Sequence, residues 1–473
     1  MKGNSSLRTY LIGSVAAIAG LLFGFDTGVI SGAQTFIFET FGIHGNDVRT
    51  NALKGFVVAV VPLGAFFGAL MSGFCAQALG RRKSLLYTAL IFVVGTLTTA
   101  LALHIDWVIF GRLLMGIAIG ISAMIAPMYL SEISPPDVRG AIIFLFQLAI
   151  TLGLLGSFTA NLVFVQWIPD HEMNWRWMFG VGIVPSAILF LGMLKMPYSP
   201  RWLVLKKRDQ EAEATLKKLL GKEDIHTELD EIHESVTREG GSLKDLFSGK
   251  LFPLLAMAFA LFVFQQLSGI NAIMYYGPAV FAEAGLGETG KFLAQVLMGT
   301  VNVVMTVVGV WVVDKCGRRP LLFIGFTGMI ACLTTIGSLL QTTNGVHGAS
   351  TYGAIASILF FIGFFAISLG GVPYIIMSEV FPLKVRASGM AIASCANWAF
   401  NMLVSETFDI LRSTLGMGNT FFLYAGCTIV GLLFAWRFVP ETKNRPLEEI
   451  EQNLYAGKPL RLLGKSPETN HAS

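Results

Sequence analysis

The chain has 473 residues, of which 54% are hydrophobic and only 14% are charged, with 51 glycines and 37 phenylalanines. Soluble domains contain about 45–50% apolar and about 25% charged residues, so this composition excludes an ordinary soluble protein and indicates a membrane protein. The formal net charge is only +4, and it gives no indication of nucleic-acid binding.

In chain order, twelve apolar runs are long enough to span a bilayer as helices, since a crossing needs about 20 apolar residues. They lie near residues 9–33, 55–79, 84–103, 107–129, 140–164, 175–196, 252–280, 292–313, 320–341, 353–377, 387–411 and 419–439. The first run is too long and too glycine-rich for a signal peptide, so we interpret it as the first spanning helix. The sequence therefore predicts an all-α membrane protein.

A polar stretch separates the first six spans from the last six. The chain therefore divides into four predicted segments: an N-terminal six-helix bundle (1–196), a cytoplasmic helical loop (197–250), a C-terminal six-helix bundle (251–440) and a cytoplasmic tail (441–473). Within the loop, charge patterning predicts short helices over residues 209–220 and 227–239. The loop is too short to be a separate catalytic domain.

The two halves share a repeated charged motif. Residues 131–139 recur at 378–386 with Ser, Glu, Pro, Val and Arg in the same register, and a Gly-Arg-Arg turn precedes each copy, at 80–82 and 317–319. A duplication on this scale, carried through membrane-length segments, is typical of transporters built from two similar helical halves.

Basic residues predict the orientation of the chain, because Lys and Arg are retained on the cytoplasmic side of a membrane. They cluster between spans two and three, eight and nine, and ten and eleven, at residues 81–83, 315–319 and 384–386. Both termini and the central loop are therefore predicted to face the cytoplasm, in a multi-pass protein of the cell inner membrane.

The five cysteines form no C-x-x-C pair, and the seven histidines have no metal-ligand spacing. We therefore expect no disulfide framework, no metal and no cofactor. No pairing of a nucleophile with a base emerges either, so an enzyme is not expected.

One carboxylate lies inside the first predicted span. Asp26 lies on a different face from Gly20, Gly24, Gly28 and Gly32, whose spacing lets another helix approach closely. A carboxylate within a bilayer costs about 2.5–3.5 kcal/mol, which makes it a functional candidate. We predict that Asp26 binds a coupling proton; the alternatives are a structural ion pair and a helix-end residue with access to water.

Arg112, in the fourth span, is the predicted partner of Asp26. A carboxyl group that moves between an apolar environment and the neighbourhood of a guanidinium changes its proton affinity, as a coupled carrier requires. The alternative is that Arg112 only marks a helix interface near Asp106.

The seventh span carries an amide-rich motif, QQLSGINAIMYYGP, whose amides include Gln265, Gln266 and Asn271. Gly269 and Pro278 allow this helix to bend or break. Amides can donate to and accept from the hydroxyls of a sugar without the desolvation cost of a charge. Interhelical hydrogen bonding is the alternative role for the same residue types.

Further polar and aromatic residues inside the spans could line a wet cavity. They are Gln147, Asn302, Tyr374, Asn397 and Trp398. Aromatic rings stack on the apolar face of a sugar. Trp and Tyr are also common as interfacial anchors or core residues, and the composition leaves both roles open.

The repeated motifs place charged side chains at the predicted cytoplasmic ends of both halves. They are Arg81, Glu132, Arg139, Arg318, Glu379 and Arg386. Pairs among them that break when the halves separate could hold the outward-open state. Topology alone would explain the arginines, but it does not explain the matched glutamates and prolines.

Together these segments resemble the sugar porter family of the major facilitator superfamily, over nearly the whole chain. The motifs are FGFDTGVISGA (23–33), GRR (80–82), GR (111–112), PMYLSEISPPDVRG (127–140), PYSPRWL (197–203), QQLSGINAIMYYGP (265–278), DKCGRRP (314–320), SEVFPLKVR (378–386) and PETK (440–443). Within the family, the chain is most similar to bacterial galactose–proton symporters. The resemblance implies a major facilitator fold of twelve transmembrane helices in two six-helix bundles, with a sugar site between them.

The resemblance also implies roles for single residues. Asp26 matches the acidic residue that marks proton-coupled members, and Arg112 matches its paired arginine. The sugar-binding positions correspond to Gln147, Gln265, Gln266, Asn271, Asn302, Tyr374, Asn397 and Trp398. The cytoplasmic gate corresponds to Arg81, Glu132, Arg139, Asp314, Arg318, Glu379 and Arg386.

The chain departs from the family pattern at three positions. Gln77 replaces the aspartate of the first G-x-x-x-D-x-x-G-R-R motif, whereas the second copy keeps Asp314. Tyr198 replaces the acidic residue of the P-E-S-P-R turn, and Tyr374 stands where many members have tryptophan. We expect a weaker gate in the N-terminal half and a different sugar preference.

The expected function is proton-coupled import of a monosaccharide, a hexose such as galactose or glucose, by alternating access in a monomer. A passive sugar uniporter and a pentose symporter for xylose or arabinose are the alternatives. A sugar sensor would usually carry a longer cytoplasmic tail, and a drug antiporter a more apolar cavity. The sequence does not decide which monosaccharide is carried, the proton stoichiometry or the oligomeric state.

Overall fold

The computed structural model describes residues 2–135, 138–220, 224–238, 243–247, 249, 251–341, 349–382 and 384–464, and none of these residues is in a β-strand. The helices are α1 Lys2–Thr40, α2 Val48–Ala78, α3 Arg81–Ala100, α4 Ile105–Ile133, α5 Arg139–Trp167, α6 His171–Gly180, α7 Ile183–Leu194, α8 Pro200–Leu205, α9 Asp209–Leu220, α10 His226–Arg238, α11 Leu243–Leu246, α12 Phe252–Leu267, α13 Ile270–Glu283, α14 Glu288–Cys316, α15 Arg318–Gln341, α16 Ala349–Ile367, α17 Val372–Val380, α18 Arg386–Leu415, α19 Met417–Phe438 and α20 Leu447–Tyr455.

All twelve predicted spans are helical. Eleven stretches of the described residues are long and apolar enough to cross a membrane, and the twelfth span is α18, with 30 residues. α18 is more polar than the others, but Asn397, Asn401 and Ser405 on it are buried against other helices. The prediction of an all-α membrane protein with twelve spanning helices is confirmed.

Three spans are broken into two helices each. Span seven breaks between α12 and α13 at Gly269, whose φ of +82° lies in the left-handed region that favours glycine. Span six breaks between α6 and α7, and span ten between α16 and α17. The sequence predicts only the break at Gly269; the glycine pairs Gly180/Gly182 and Gly370/Gly371 accompany the other two breaks.

The glycine stripe of α1 packs against α5. A methyl group on Gly24 would overlap the carbonyl of Ile150, and one on Gly28 would overlap the hydroxyl of Ser157. The two helices therefore approach at backbone distance, as small residues allow. Asp26 is left on another face of α1, toward α4.

The start of α1, the segment α8–α11 and α20 lie at one face of the bundle, which we call the terminal face; the connections before α2, α4, α6 and α14 lie at the other, the loop face. Several contacts join the halves on the loop-face side of the midplane. Gln295 Nε2 donates to Ser31 Oγ at 2.5 Å, and Gln34 Nε2 donates to the Tyr275 carbonyl at 2.8 Å. Gly55 on α2 packs directly on the Glu406 carbonyl of α18. These contacts close the loop-face side between the halves.

Candidate functional site

Asp26 and Arg112 form a buried ion pair in the N-terminal half. Arg112 Nη1 lies 3.6 Å from Asp26 Oδ1, and the two side chains are 0% and 1% exposed. Arg112 is held independently of Asp26, because its Nε donates to the Val57 carbonyl at 3.0 Å and its guanidinium lies 5.6 Å from the Phe179 ring centre. The position of Arg112 therefore does not depend on Asp26 alone.

The pair is close without being hydrogen-bonded. Among the described residues, Asp26 Oδ1 and both Nη atoms of Arg112 have no hydrogen-bond partner. Buried polar atoms are usually satisfied, and exceptions need an explanation. An ion pair with all its hydrogen bonds made would hold the carboxyl group in its charged form. The missing hydrogen bonds therefore fit a carboxyl group that alternates between a protonated and an ion-paired form.

Tyr275 connects this pair to the C-terminal half. Its hydroxyl lies close to the side chains of Asn401 on α18 and Thr27 on α1, next to Asp26. Asn401 in turn accepts from Ser405 Oγ at 3.1 Å. The neighbourhood of Asp26 therefore includes side chains from two helices of the opposite half, α13 and α18.

The amides of span seven bind to one another and to α18. Gln266 Oε1 accepts from Asn271 Nδ2 at 2.5 Å, across the break at Gly269. Gln265 Oε1 accepts from Asn397 Nδ2, and Gln265 Nε2 donates to the Leu369 carbonyl in the break of span ten, each at 2.5 Å. Gln265 thus connects spans seven, ten and eleven. Among the described residues, the side chains of Gln266 and Asn271 hydrogen-bond only to each other, so they are better placed to exchange that bond for a ligand hydroxyl.

Two aromatic side chains lie beside these amides. Trp398 follows Asn397 on α18, and its ring centre lies 5.2 Å from that of Phe23, one turn before Asp26 on α1. Tyr374 is 41% exposed, and its ring lies 4.7 Å from Phe262, one turn before the two glutamines. The structure therefore brings six of the eight predicted sugar-binding residues into one cluster, which we call the central site: Gln265, Gln266, Asn271, Tyr374, Asn397 and Trp398.

The remaining two predicted sugar-binding residues lie on helices that face each other across the halves. Gln147 is half-buried on α5, and Asn302 is buried on α14. Among the described residues, neither is hydrogen-bonded to the central site. Their role stays a prediction.

The charged motifs form one cluster in each half at the terminal face. In the N-terminal half, Arg81 Nη2 binds Glu132 Oε1 at 2.7 Å, and Ser199 Oγ donates to Glu132 Oε2 at 2.5 Å. In the C-terminal half, Arg318 Nη2 binds Glu379 Oε1 at 2.9 Å, and Thr442 Oγ1 donates to Glu379 Oε2 at 2.5 Å. The duplication therefore extends to the hydroxyl donor. In this conformation, each ion pair lies within its own half.

Two other predicted gate residues are placed differently. Arg139 and Arg386 each donate to a carbonyl five residues earlier, those of Ser134 and Phe381, at 3.5 and 3.1 Å. They brace the turns of the repeated motif. The side chain of Asp314 lies outside the described residues.

The two halves differ at one capping position, where Tyr198 corresponds to Glu441. Glu441 accepts from the backbone N–H groups of Arg318 and Arg319 at 3.1 and 3.0 Å, and so caps α15. The equivalent helix α3 has no side-chain cap. The Tyr198 ring instead lies 4.8 Å from the guanidinium of Arg82.

Replacing Tyr198 with glutamate should therefore stabilise the protein by about 1 kcal/mol. Two capping hydrogen bonds to a charged acceptor, about 1.5–3 kcal/mol each, outweigh the loss of the cation–π contacts to Arg82 and Arg208, about 0.5–1 kcal/mol each. They also outweigh the loss of stacking on Trp202, about 0.5–1.5 kcal/mol. The thermal midpoint in detergent should rise for Tyr198→Glu and stay near wild type for Tyr198→Phe. A midpoint below wild type for Tyr198→Glu would contradict this assignment of the two turns.

Comparisons with known proteins agree with this architecture. The family model described as "Sugar (and other) transporter" matches residues 12–454. The galactose-proton symporter of Escherichia coli is 39% identical over 465 residues, which cover 98% of this chain and 97% of that protein. The glucose transporter GlcP of Staphylococcus epidermidis is 37% identical, with 96% of this chain and 98% of that protein covered.

Among solved structures, a partially occluded inward open conformation of the xylose transporter XylE from E. coli superimposes with a TM-score of 0.82 at 29% identity, covering 93% of this chain and 99% of that chain. The match extends over both halves. This chain belongs to the sugar transporter family of the major facilitator superfamily, and it is a transport protein rather than an enzyme.

Proposed function

We propose that this chain is a proton-coupled importer of a monosaccharide, a hexose such as galactose, that works by alternating access. The observation that carries the proposal is the buried Asp26–Arg112 pair, separated by 3.6 Å and close to Tyr275 in the half that holds the central site. The proton is the only coupling ion in the proposal, and no metal or other cofactor is required.

The orientation follows from the basic residues. Arg81, Arg82 and Lys83, and Lys315, Arg318 and Arg319, lie at the terminal face, where both halves carry their repeated motifs. Because Lys and Arg are retained on the cytoplasmic side, we assign the terminal face to the cytoplasm and the loop face to the outside of the inner membrane. We propose a monomer as the working unit, since each chain holds a complete central site.

In the proposed cycle, Asp26 is protonated from outside, which weakens its attraction to Arg112. The sugar then exchanges hydroxyls for the Gln266–Asn271 hydrogen bond and stacks on Trp398. The halves rock and close through the contacts on the loop-face side, such as Gln295 to Ser31. The central site now opens to the cytoplasm, and Asp26 returns its proton there as the ion pair re-forms.

The energy available to such a cycle is limited by the membrane potential. Moving one charge through about 100 mV yields about 2.3 kcal/mol. At about 1.4 kcal/mol for each factor of ten, this sustains roughly 50-fold accumulation of the sugar.

Uptake into proteoliposomes tests the proposal. With an inward proton gradient, labelled galactose should accumulate above its external concentration, and a protonophore should reduce it to equilibration. Unlabelled glucose, xylose and arabinose added as competitors rank the substrates, because the relatives include proteins named for each of these sugars. Uptake that never exceeds equilibration would replace the proposal with passive transport.

Replacing Gln266 with alanine should weaken sugar binding by roughly 10- to 100-fold. The variant loses about two hydrogen bonds to the ligand, worth about 0.5–1.5 kcal/mol each, and every 1.4 kcal/mol changes the affinity about tenfold. The apparent KM for uptake measures the effect. Asn302→Ala provides a comparison at a predicted position outside the cluster, and an equal loss there would show that the cluster is not the dominant site.

A further inference from the structure

A cavity separate from the central site lies on the loop face, between the halves. It has a volume of about 530 Å³ and is lined by the ends of α1, α2, α13 and α18 and by the connection between α1 and α2. Ligand pockets typically have about 300–1,000 Å³, so this space, the outer cavity, has the size of a binding site. None of the residues of the central site lines it.

The floor of the outer cavity separates it from the central site. Ser31 and Gln34 line the cavity and bond across the halves to Gln295 and to the Tyr275 carbonyl. A molecule in the outer cavity therefore cannot reach the central site in this conformation.

The rim of the cavity is held rigid by side chains of α2. Asp47 caps α2 by accepting from Thr50 N and Oγ1 at 3.1 and 2.6 Å, Asn51 Nδ2 donates to the Asn46 carbonyl at 3.1 Å, and Lys54 Nζ donates to the Gly45 carbonyl at 2.9 Å. The hydrogen bonds from Thr50 lower the pKa of Asp47. The stabilisation by this cap is therefore present above the unfolded-state pKa and is lost only as the pH falls through the lower folded-state value.

The lining suits a neutral molecule with many hydroxyl groups. Gln34 is only 6% exposed, and its Oε1 has no hydrogen-bond partner among the described residues, so it offers a buried acceptor. The side chain of Asp409 is 13% exposed and lies 3.9 Å from Arg412, which also pairs with Glu283 at 3.5 Å. Mixed carboxylates, cations and amides bind hydroxyls well, and Phe38 adds an aromatic surface for a sugar ring.

We propose that the outer cavity is a second binding site for the monosaccharide, filled from outside while the central site is open to the cytoplasm. The inference rests on the proposed sugar transport. Both halves contribute to the outer cavity, and they hold it in shape only when they are closed on this side. External sugar in this second site therefore binds a conformation whose transport site faces inward.

Equilibrium dialysis with labelled D-galactose tests the proposal on the purified full-length protein. Ser413 is exposed and lines the cavity, so Ser413→Trp should fill it. Its neighbour Thr414 is also exposed but does not line the cavity, so Thr414→Trp is the matched control. Ser413 Oγ donates to the Ile410 carbonyl, and Thr414 Oγ1 donates to the carbonyls of Ile410 and Leu411. These bonds stay within α18, so neither change should disturb folding. The saturating number of galactose molecules per chain is the readout.

The wild type and Thr414→Trp should bind two galactose molecules per chain, Ser413→Trp one, and Ser413→Trp combined with Gln266→Ala none at the same concentrations. Asp409→Ala should keep both sites but weaken one about tenfold. One molecule per chain in the wild type, or two in Ser413→Trp, would overturn the outer site and leave the proposed transport intact. No binding at all would overturn galactose as the substrate and the outer site with it.

Discussion

Exchanging Asp26 for asparagine should abolish uphill accumulation of sugar and leave downhill exchange. Asparagine keeps the size of the side chain but cannot carry a proton or pair with the charge of Arg112, 3.6 Å away. In proteoliposomes with an imposed proton gradient, the accumulation ratio should fall from as much as about 50-fold to unity. Counterflow of labelled against unlabelled galactose should persist, because the central site is unchanged.

Asp106→Asn provides the matched control for this prediction. Asp106 is an exposed acid at the loop-face end of α4, in the same helix as Arg112. The control should accumulate sugar as the wild type does. Accumulation by Asp26→Asn to the wild-type level would remove Asp26 from the coupling step.

Removing the other partner of the pair should strongly destabilise the protein. In Arg112→Met, the carboxyl of Asp26 loses its buried counter-charge, and breaking such a pair costs about 3–5 kcal/mol. The same substitution also deletes the Arg112 Nε bond to the Val57 carbonyl. The thermal midpoint in detergent should therefore be well below that of the wild type.

A double variant separates the two contributions. Asp26→Asn combined with Arg112→Met lacks the orphaned carboxyl but still lacks the bond to Val57. It should recover most of the loss, so that the double variant is more stable than Arg112→Met alone. Equal midpoints for the single and double variants would show that Asp26 and Arg112 do not interact energetically.

The features of this fold that could be predicted from sequence are those set by local composition. The twelve spans follow from apolar runs, and the short helix Asp209–Leu220 follows from its charge pattern and has the predicted bounds. Gly269 marked the break of span seven because a left-handed residue favours glycine. The spacing of the α1 glycines predicted the close approach of another helix, and the structure shows that this helix is α5.

The contacts between the halves could not be predicted in this way. Ser31 and Gln295 are 264 positions apart, and Gln34 and Tyr275 are 241 apart, so their meeting depends on how the two bundles close. Neutral residues such as Ser31 and Gln34 carry no signal within an apolar run. In the structure, both residues form the floor of the outer cavity, which separates it from the central site.

The departures in the charged motifs also needed the structure. The sequence shows that Tyr198 replaces an acidic residue of the family pattern. The role of that acidic residue becomes clear only from Glu441, which caps α15 at the corresponding turn. Similarly, Gln265 has the residue type of a sugar ligand, yet both ends of its side chain are engaged by Asn397 and Leu369. Residue type alone does not distinguish a ligand contact from an interhelical hydrogen bond.

Proton movement on addition of sugar tests the central claim most directly. Wild-type protein in weakly buffered proteoliposomes, with a pH electrode in the external medium, should produce an alkaline shift when galactose is added outside, because Asp26 carries a proton inward with each sugar. The shift should be absent in Asp26→Asn. Galactose uptake by the wild type without any alkaline shift would contradict proton coupling and leave a passive carrier.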